Sequence, residues 1–175
     1  VGPSAREQML ILSPFPVSAI IGMFFSNQFA DRHFAAEKFM AFSHLVAGLA
    51  ILGMYWATSF TALFTLMLAH SLLSVPTISV SNSIAFTHLK DAHKEFGLVR
   101  MGGTLGWILA AWPLYFVLQG KAGMEAVSAT RNIFLVSGIA SLVLAAFSLT
   151  LPHTPPKPAG DGDGRFAWLR AAKFL

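Results

Sequence analysis

The sequence predicts an all-α integral membrane protein with five transmembrane helices, and three observations carry that prediction. Hydrophobic residues make up 55% of the 175 residues and charged residues only 11%, where a soluble domain carries about 25% charge. Mean hydropathy is strongly positive at +0.63. The apolar residues gather into five runs, each near the ~20 residues a spanning helix needs and too long for the short apolar strands of a β core.

In order, the runs are Met9–Phe29, Met40–Thr58, Ala62–Phe86, Leu98–Gln119 and Ile133–Leu151. Pro14 and Pro16 fall in the first and Pro76 in the third; such breaks are tolerated in membrane helices when neighbours satisfy the freed carbonyls. The connectors are Ala30–Phe39, a tight turn around Ser59–Thr61, His88–Gly97 and Gly120–Asn132. Residues 1–151 therefore read as a partial transmembrane bundle. Residues 152–175 open with prolines at 152, 155, 156 and 158 and an alternating Gly/Asp run, which predicts a flexible cytoplasmic linker. A chain of this length is expected to hold only part of a larger membrane protein.

Successive spans alternate in direction, so the first connector, the third connector and the tail share one side. That side holds Arg32, Lys38, Lys90, Lys94, Arg100, Lys157, Arg165, Arg170 and Lys173, against Arg6, Lys121 and Arg131 on the other. Lys and Arg excess marks the cytoplasmic face, so the first span runs inward. The net charge of +4 is better read as this orientation than as nucleic-acid binding, because no basic face forms.

Arg100, Thr104 and Trp107 recur at i, i+4 and i+7, and at about 100° per residue they share one face of the fourth span. A cation inside a span is costly unless it meets water, a partner or a ligand. Arg100 therefore either faces a polar cavity in the bundle or snorkels to nearby headgroups. On the third span Thr77, Ser79, Ser81, Asn82 and Ser83 follow Pro76. Their hydroxyls suit repair of carbonyls around the proline, while Thr77 and Asn82 also suit a substrate cavity. Gly102, Gly106 and Ala110 form a small-residue stripe fit for close helix packing. Trp56, beside Tyr55 at a span end, reads as an interfacial anchor.

Enzyme chemistry finds little purchase. Cysteine is absent, which removes disulfides, thiolate metal sites and a thiol nucleophile. There is no HExxH, serine elbow or phosphate loop, and no metal or cofactor is expected. His44 and His70 are intramembrane, but counted from their span ends their depths differ by ~10 Å, too far for one haem to bridge. They read as packing histidines.

These residues resemble the N-terminal half of a major facilitator superfamily transporter. Ala30, Asp31 and Arg32 match its gating-loop motif between helices 2 and 3. More narrowly the chain resembles the nucleoside:proton symporter family of bacterial nucleoside permeases, through Ala36, Glu37 and Lys38 followed by His44, through Pro76 and Thr77 with Asn82, Ser83 and Ile84, through Arg100, Gly103, Thr104, Leu105, Gly106 and Trp107, and through Leu149–His153. Asn27, Ser74 and Gly102 depart from the pattern.

The resemblance implies that the five spans are helices 2 to 6 of twelve, in the bacterial inner membrane, and that a second half completes the protein. It implies inward movement of nucleosides with protons, coupled through residues outside this chain. Arg100 and Thr104 would then donate hydrogen bonds to base or ribose oxygens, and Trp107 would offer a stacking face. The same donors and ring would serve a transporter of sugars or another small polar solute. A membrane scaffold subunit that transports nothing would show the same spans.

Overall fold

The computed structural model describes residues 5–22 and 33–156. Among the described residues every regular element is helical: α1 (Ala5–Ile11), α2 (Pro14–Ile21), α3 (Ala36–Trp56), α4 (Phe60–His88), α5 (Ala92–Leu118) and α6 (Gly123–Ser148). Three of them, α3, α4 and α6, are long and apolar enough to cross a membrane by length and composition. Asp31 and Arg32, expected in a gating loop, lie outside the described residues, as does the end of the first predicted span.

The helix ends differ from the span ends for identifiable reasons. The first run breaks at Ser13, because Pro14 and Pro16 carry no N–H for the carbonyls of Leu10 and Leu12. Ser13 Oγ donates to the Leu10 carbonyl at 2.7 Å instead, and Pro14 opens α2, where a missing N–H is harmless. The connector expected at His88–Gly97 is mostly helix. Asp91 caps α5 by accepting the Lys94 N–H at 3.3 Å, and Glu95 Oε2 accepts the Lys90 N–H at 3.1 Å. Likewise α6 starts at Gly123 rather than Ile133, after a turn in which Gly120 and Gly123 take φ of +76° and +58°, values that glycine reaches without a Cβ clash. Hydropathy finds the membrane part of a helix, whereas caps and turns decide where the helix begins.

The core lies along α3, which packs against α4 on one side and α6 on the other, while α2 rests on α4. Small residues allow this closeness. Ala47 and Gly48 are buried; a Cβ at Gly48 would stand 3.1 Å from Ser141 Cβ, and one at Gly138 would collide with Leu52. Gly53 faces Leu66 in the same way. Polar ties reinforce the seam: Ser141 Oγ donates to the His44 carbonyl at 2.9 Å, and Arg131 Nε on α6 donates to the Tyr55 carbonyl at 3.2 Å with its guanidinium 5.3 Å from the Tyr55 ring centre. Trp56 beside it is exposed, as an interfacial anchor requires.

The histidine depths require correction. His70 Nδ1 lies 3.0 Å from the Ala47 carbonyl, and Ala47 is one turn from His44, so the two histidines differ in depth by about 5 Å rather than ~10 Å. Counting from the shared Ala57–Ser59 turn, not from the apolar run ends, recovers this register. The hydrogen bond gives His70 a packing role, and among the described residues no cluster of three metal-ligating side chains occurs.

By contrast α5 stands apart. Phe96 stacks on Phe86 of α4 with ring centres 4.2 Å apart, but most of α5 is exposed. A Cβ added at Gly102 or Gly106 would meet no atom within 4 Å beyond its own stretch of helix, so the expected packing partner of this stripe is not among the described residues.

The seam yields a direct test. Gly138→Val should lower the thermal unfolding midpoint of the detergent-solubilised protein, because overpacking a tight contact costs about 1 to 3 kcal/mol. Gly102→Ala, with open space around it, should leave the midpoint unchanged or raise it. Equal midpoints for Gly138→Val and the parent in a fluorescence melt would contradict this packing.

Candidate functional site

The polar faces of α4 and α5 meet across a cavity of ≈ 390 Å³ lined by Ser81, Asn82, Val99, Arg100, Gly103, Thr104 and Trp107. This is near the lower end of the range for small-molecule sites. Five of the seven come from α5 at positions i, i+1, i+4, i+5 and i+8, one helical face. Because α5 starts at Ala92, Arg100 sits about 12 Å along its axis, two turns in.

Each lining residue contributes differently. Arg100 brings a fixed positive charge with a fork of N–H donors. The ion pairs found among the described residues are Lys94 with Asp91 and Glu37 with His153, so the guanidinium has no carboxylate partner there. Thr104 Oγ1 donates to the Arg100 carbonyl at 3.3 Å, so in this arrangement its hydroxyl offers a ligand an acceptor rather than the expected donor. Asn82 is half-buried on the opposite wall and offers both an acceptor and donors. Gly103 adds no bulk: a Cβ there would meet nothing within 4 Å. Trp107 is 75% exposed, so its indole face is free for another planar group.

Arg100, Thr104, Trp107 and Asn82 are thus brought together, while Thr77 is not. It is buried, and its hydroxyl donates to the Ser74 carbonyl at 2.6 Å. Five residues along a helix amount to about 500°, which sets Thr77 some 140° around α4 from Asn82. The bonds of Thr77 to Ser74, Ser81 to Ile78 and Thr87 to Ser83 follow the local back-bonding pattern of hydroxyls in helices. Ser81, which sequence reasoning put in the polar run but not in the site, lines the cavity. Its adjacency to Asn82 was the available signal.

Comparison with known proteins supplies the family. A family model described as nucleoside H+ symporter matches residues 1–175. The chain is 34% identical over 147 residues to the putative nucleoside transporter YegT of Escherichia coli (strain K12), covering 84% of this chain and 34% of that protein. It is 30% identical over 154 residues to the xanthosine permease of the same organism, covering 83% and 34%. It therefore spans about a third of the length of these relatives, which are named as transporters and permeases rather than enzymes. Its fold matches a crystal structure of the nucleoside transporter NupG with a TM-score of 0.77 at 21% identity, over 96% of this chain and 42% of that one. An all-helical bundle with membrane-length apolar helices, a polar cavity between two of them and a family match along its whole length make this chain a multi-pass membrane protein of the nucleoside H+ symporter family.

Proposed function

We propose that the chain forms one wall of the binding site of a proton-coupled nucleoside transporter that works by alternating access. The observation that carries this reading is the cavity itself: a cation with no carboxylate partner among the described residues, an amide, a hydroxyl and an exposed indole face line one space. Most nucleosides are neutral at pH 7, and all are rich in carbonyl, ring-nitrogen and hydroxyl acceptors. Arg100, Thr104 and Asn82 hydrogen-bond base or ribose, and Trp107 stacks on the base, since every base has a π-face. Thr77 supports the α4 wall from behind rather than touching the ligand.

In this reading the chain supplies five spans equivalent to helices 2 to 6 of a twelve-helix major facilitator fold in the bacterial inner membrane. Asp31 and Arg32 serve the gating loop, and residues 152–175 lead to a second half. The described spans carry no Asp or Glu away from their ends, which supports a proton-coupling group outside the described residues. Rocking of the two halves about a midplane site moves the nucleoside inward. Sugars and other polar solutes could use the same donors and ring; the broad indole of Trp107 favours a planar base among them.

In the full-length protein, Arg100→Ala should weaken nucleoside binding about tenfold to a hundredfold, since each hydrogen bond to a charged donor is worth about 1.5 to 3 kcal/mol. Arg100→Lys should be nearly as harmful where the planar fork matters, but almost silent where the residue merely snorkels. Trp107→Phe should keep most binding and Trp107→Ala should not. Calorimetry on purified protein reads all four, and wild-type affinity in both alanine variants would remove the site.

Orientation is tested separately. Cysteines introduced at His33 and His93 should react with an impermeant thiol reagent only from the cytoplasmic face, and one at Gly123 only from outside. Labelling of His93→Cys in intact cells would reverse the assignment.

A further inference from the structure

At one end of the bundle the start of α3, the end of α4 and the chain leaving α6 converge on a polar cluster away from the cavity. It begins with a helix that cannot cap itself. The residue before α3 is Ala35, which makes no side-chain cap, so first-turn N–H groups need acceptors from elsewhere. The Ala36 N–H donates to the carbonyl of Thr154 at 3.0 Å, a cap supplied from the far side of the sequence. Glu37 returns the bond. Its Oε2 accepts the Thr154 N–H at 3.0 Å and its Oε1 accepts from His153 Nδ1 at 2.7 Å. A carboxylate in the first turn also suits the positive end of the helix dipole.

Thr154 extends the tie to a third helix. Its Oγ1 donates to the Pro152 carbonyl at 3.1 Å and stands 3.0 Å from Nε2 of His88, the last residue of α4. With the hydroxyl proton given to Pro152, Oγ1 accepts from His88 Nε2–H. Glu37 and Thr154 are each only 5% exposed. Leu151 on the same segment packs with Ala36 and Phe39 around buried Met40, Val80 and Ile84, so opening the cluster would strip partners from a buried carboxylate and break an apolar contact together. Ser81 and Asn82 lie seven and six residues before His88 on α4, about 10 Å along its axis.

We propose that Glu37 and Thr154 form a permanent clasp that joins α3, α4 and the segment leaving α6 into one rigid body, and are positioning residues for transport. Motion carried by that segment then moves the α4 wall of the cavity with it, instead of shifting α6 alone. The kinetic consequence rests on the transport reading above; the clasp itself does not.

The test uses the full-length protein in proteoliposomes, with residue-resolved amide hydrogen exchange at Ala36 and Thr154 and with uridine as the probe. In the wild type both amides should exchange slowly, at matching rates, and within twofold of the same rates with and without uridine. Glu37→Ala should speed both at least tenfold and cut the maximal uptake rate several-fold, while the Kd for uridine stays within twofold. Glu37→Gln, whose carbonyl oxygen still accepts the Thr154 N–H, should recover most of the protection and uptake.

Faster exchange at both amides when uridine is added to the wild type would show a clasp that opens each cycle and would overturn the proposal. So would wild-type uptake by Glu37→Ala despite lost protection, the mark of a purely structural tie. Where Glu37→Ala does not fold, the wild-type exchange comparison decides alone. A protein that neither binds nor takes up uridine defeats the transport reading, yet unmatched exchange at Ala36 and Thr154 would still be what defeats the clasp.

Discussion

Close approach of α3 to its two neighbours is the constraint on which the rest of this bundle depends. Lipid tails are as apolar as leucine, so helices gain little by merely hiding apolar faces from one another; backbone proximity and polar ties must hold them. Gly48, Gly53 and Gly138 create that proximity. The His70, Ser141 and Arg131 hydrogen bonds to backbone carbonyls of α3 then fix rotation and register. Once α4 is locked against α3 in this register, Ser81 and Asn82 must face α5 and Thr77 must face away.

The cavity is in a sense the complement of the seam. Where α3 needs small residues to bring backbones together, α5 uses Gly103 to keep space open beside Arg100 and Thr104. An arginine two turns into a helix without an acidic partner among the described residues is an expensive feature. On the proposed reading, an acceptor-rich ligand taking the place of water would offset that cost.

Much of the site was legible because it depends on one helix at a time. Arg100, Thr104 and Trp107 declare a shared face by spacing alone, and they do share the cavity. What spacing could not reveal was which side of α4 faces α5, since hydroxyls and amides surround that helix; Asn82 fell on the cavity side and Thr77 behind it. Helix existence was likewise legible from apolar runs, whereas the ends at Ala92 and Gly123 were set by Asp91 and by two left-handed glycines that hydropathy does not register. The depths of His44 and His70 went astray for a related reason, as the register of a hairpin is counted from its turn. The Glu37 and Thr154 contact joins residues over a hundred positions apart, and no local pattern announces it.

A structure of the full-length protein with a nucleoside bound tests the central claim most directly. The account predicts the nucleoside between α4 and α5, with the Arg100 guanidinium and the Asn82 amide within hydrogen-bonding distance of its oxygens or ring nitrogens and the base stacked on Trp107. A nucleoside seated elsewhere, with Arg100 extended into the headgroup region, would contradict it.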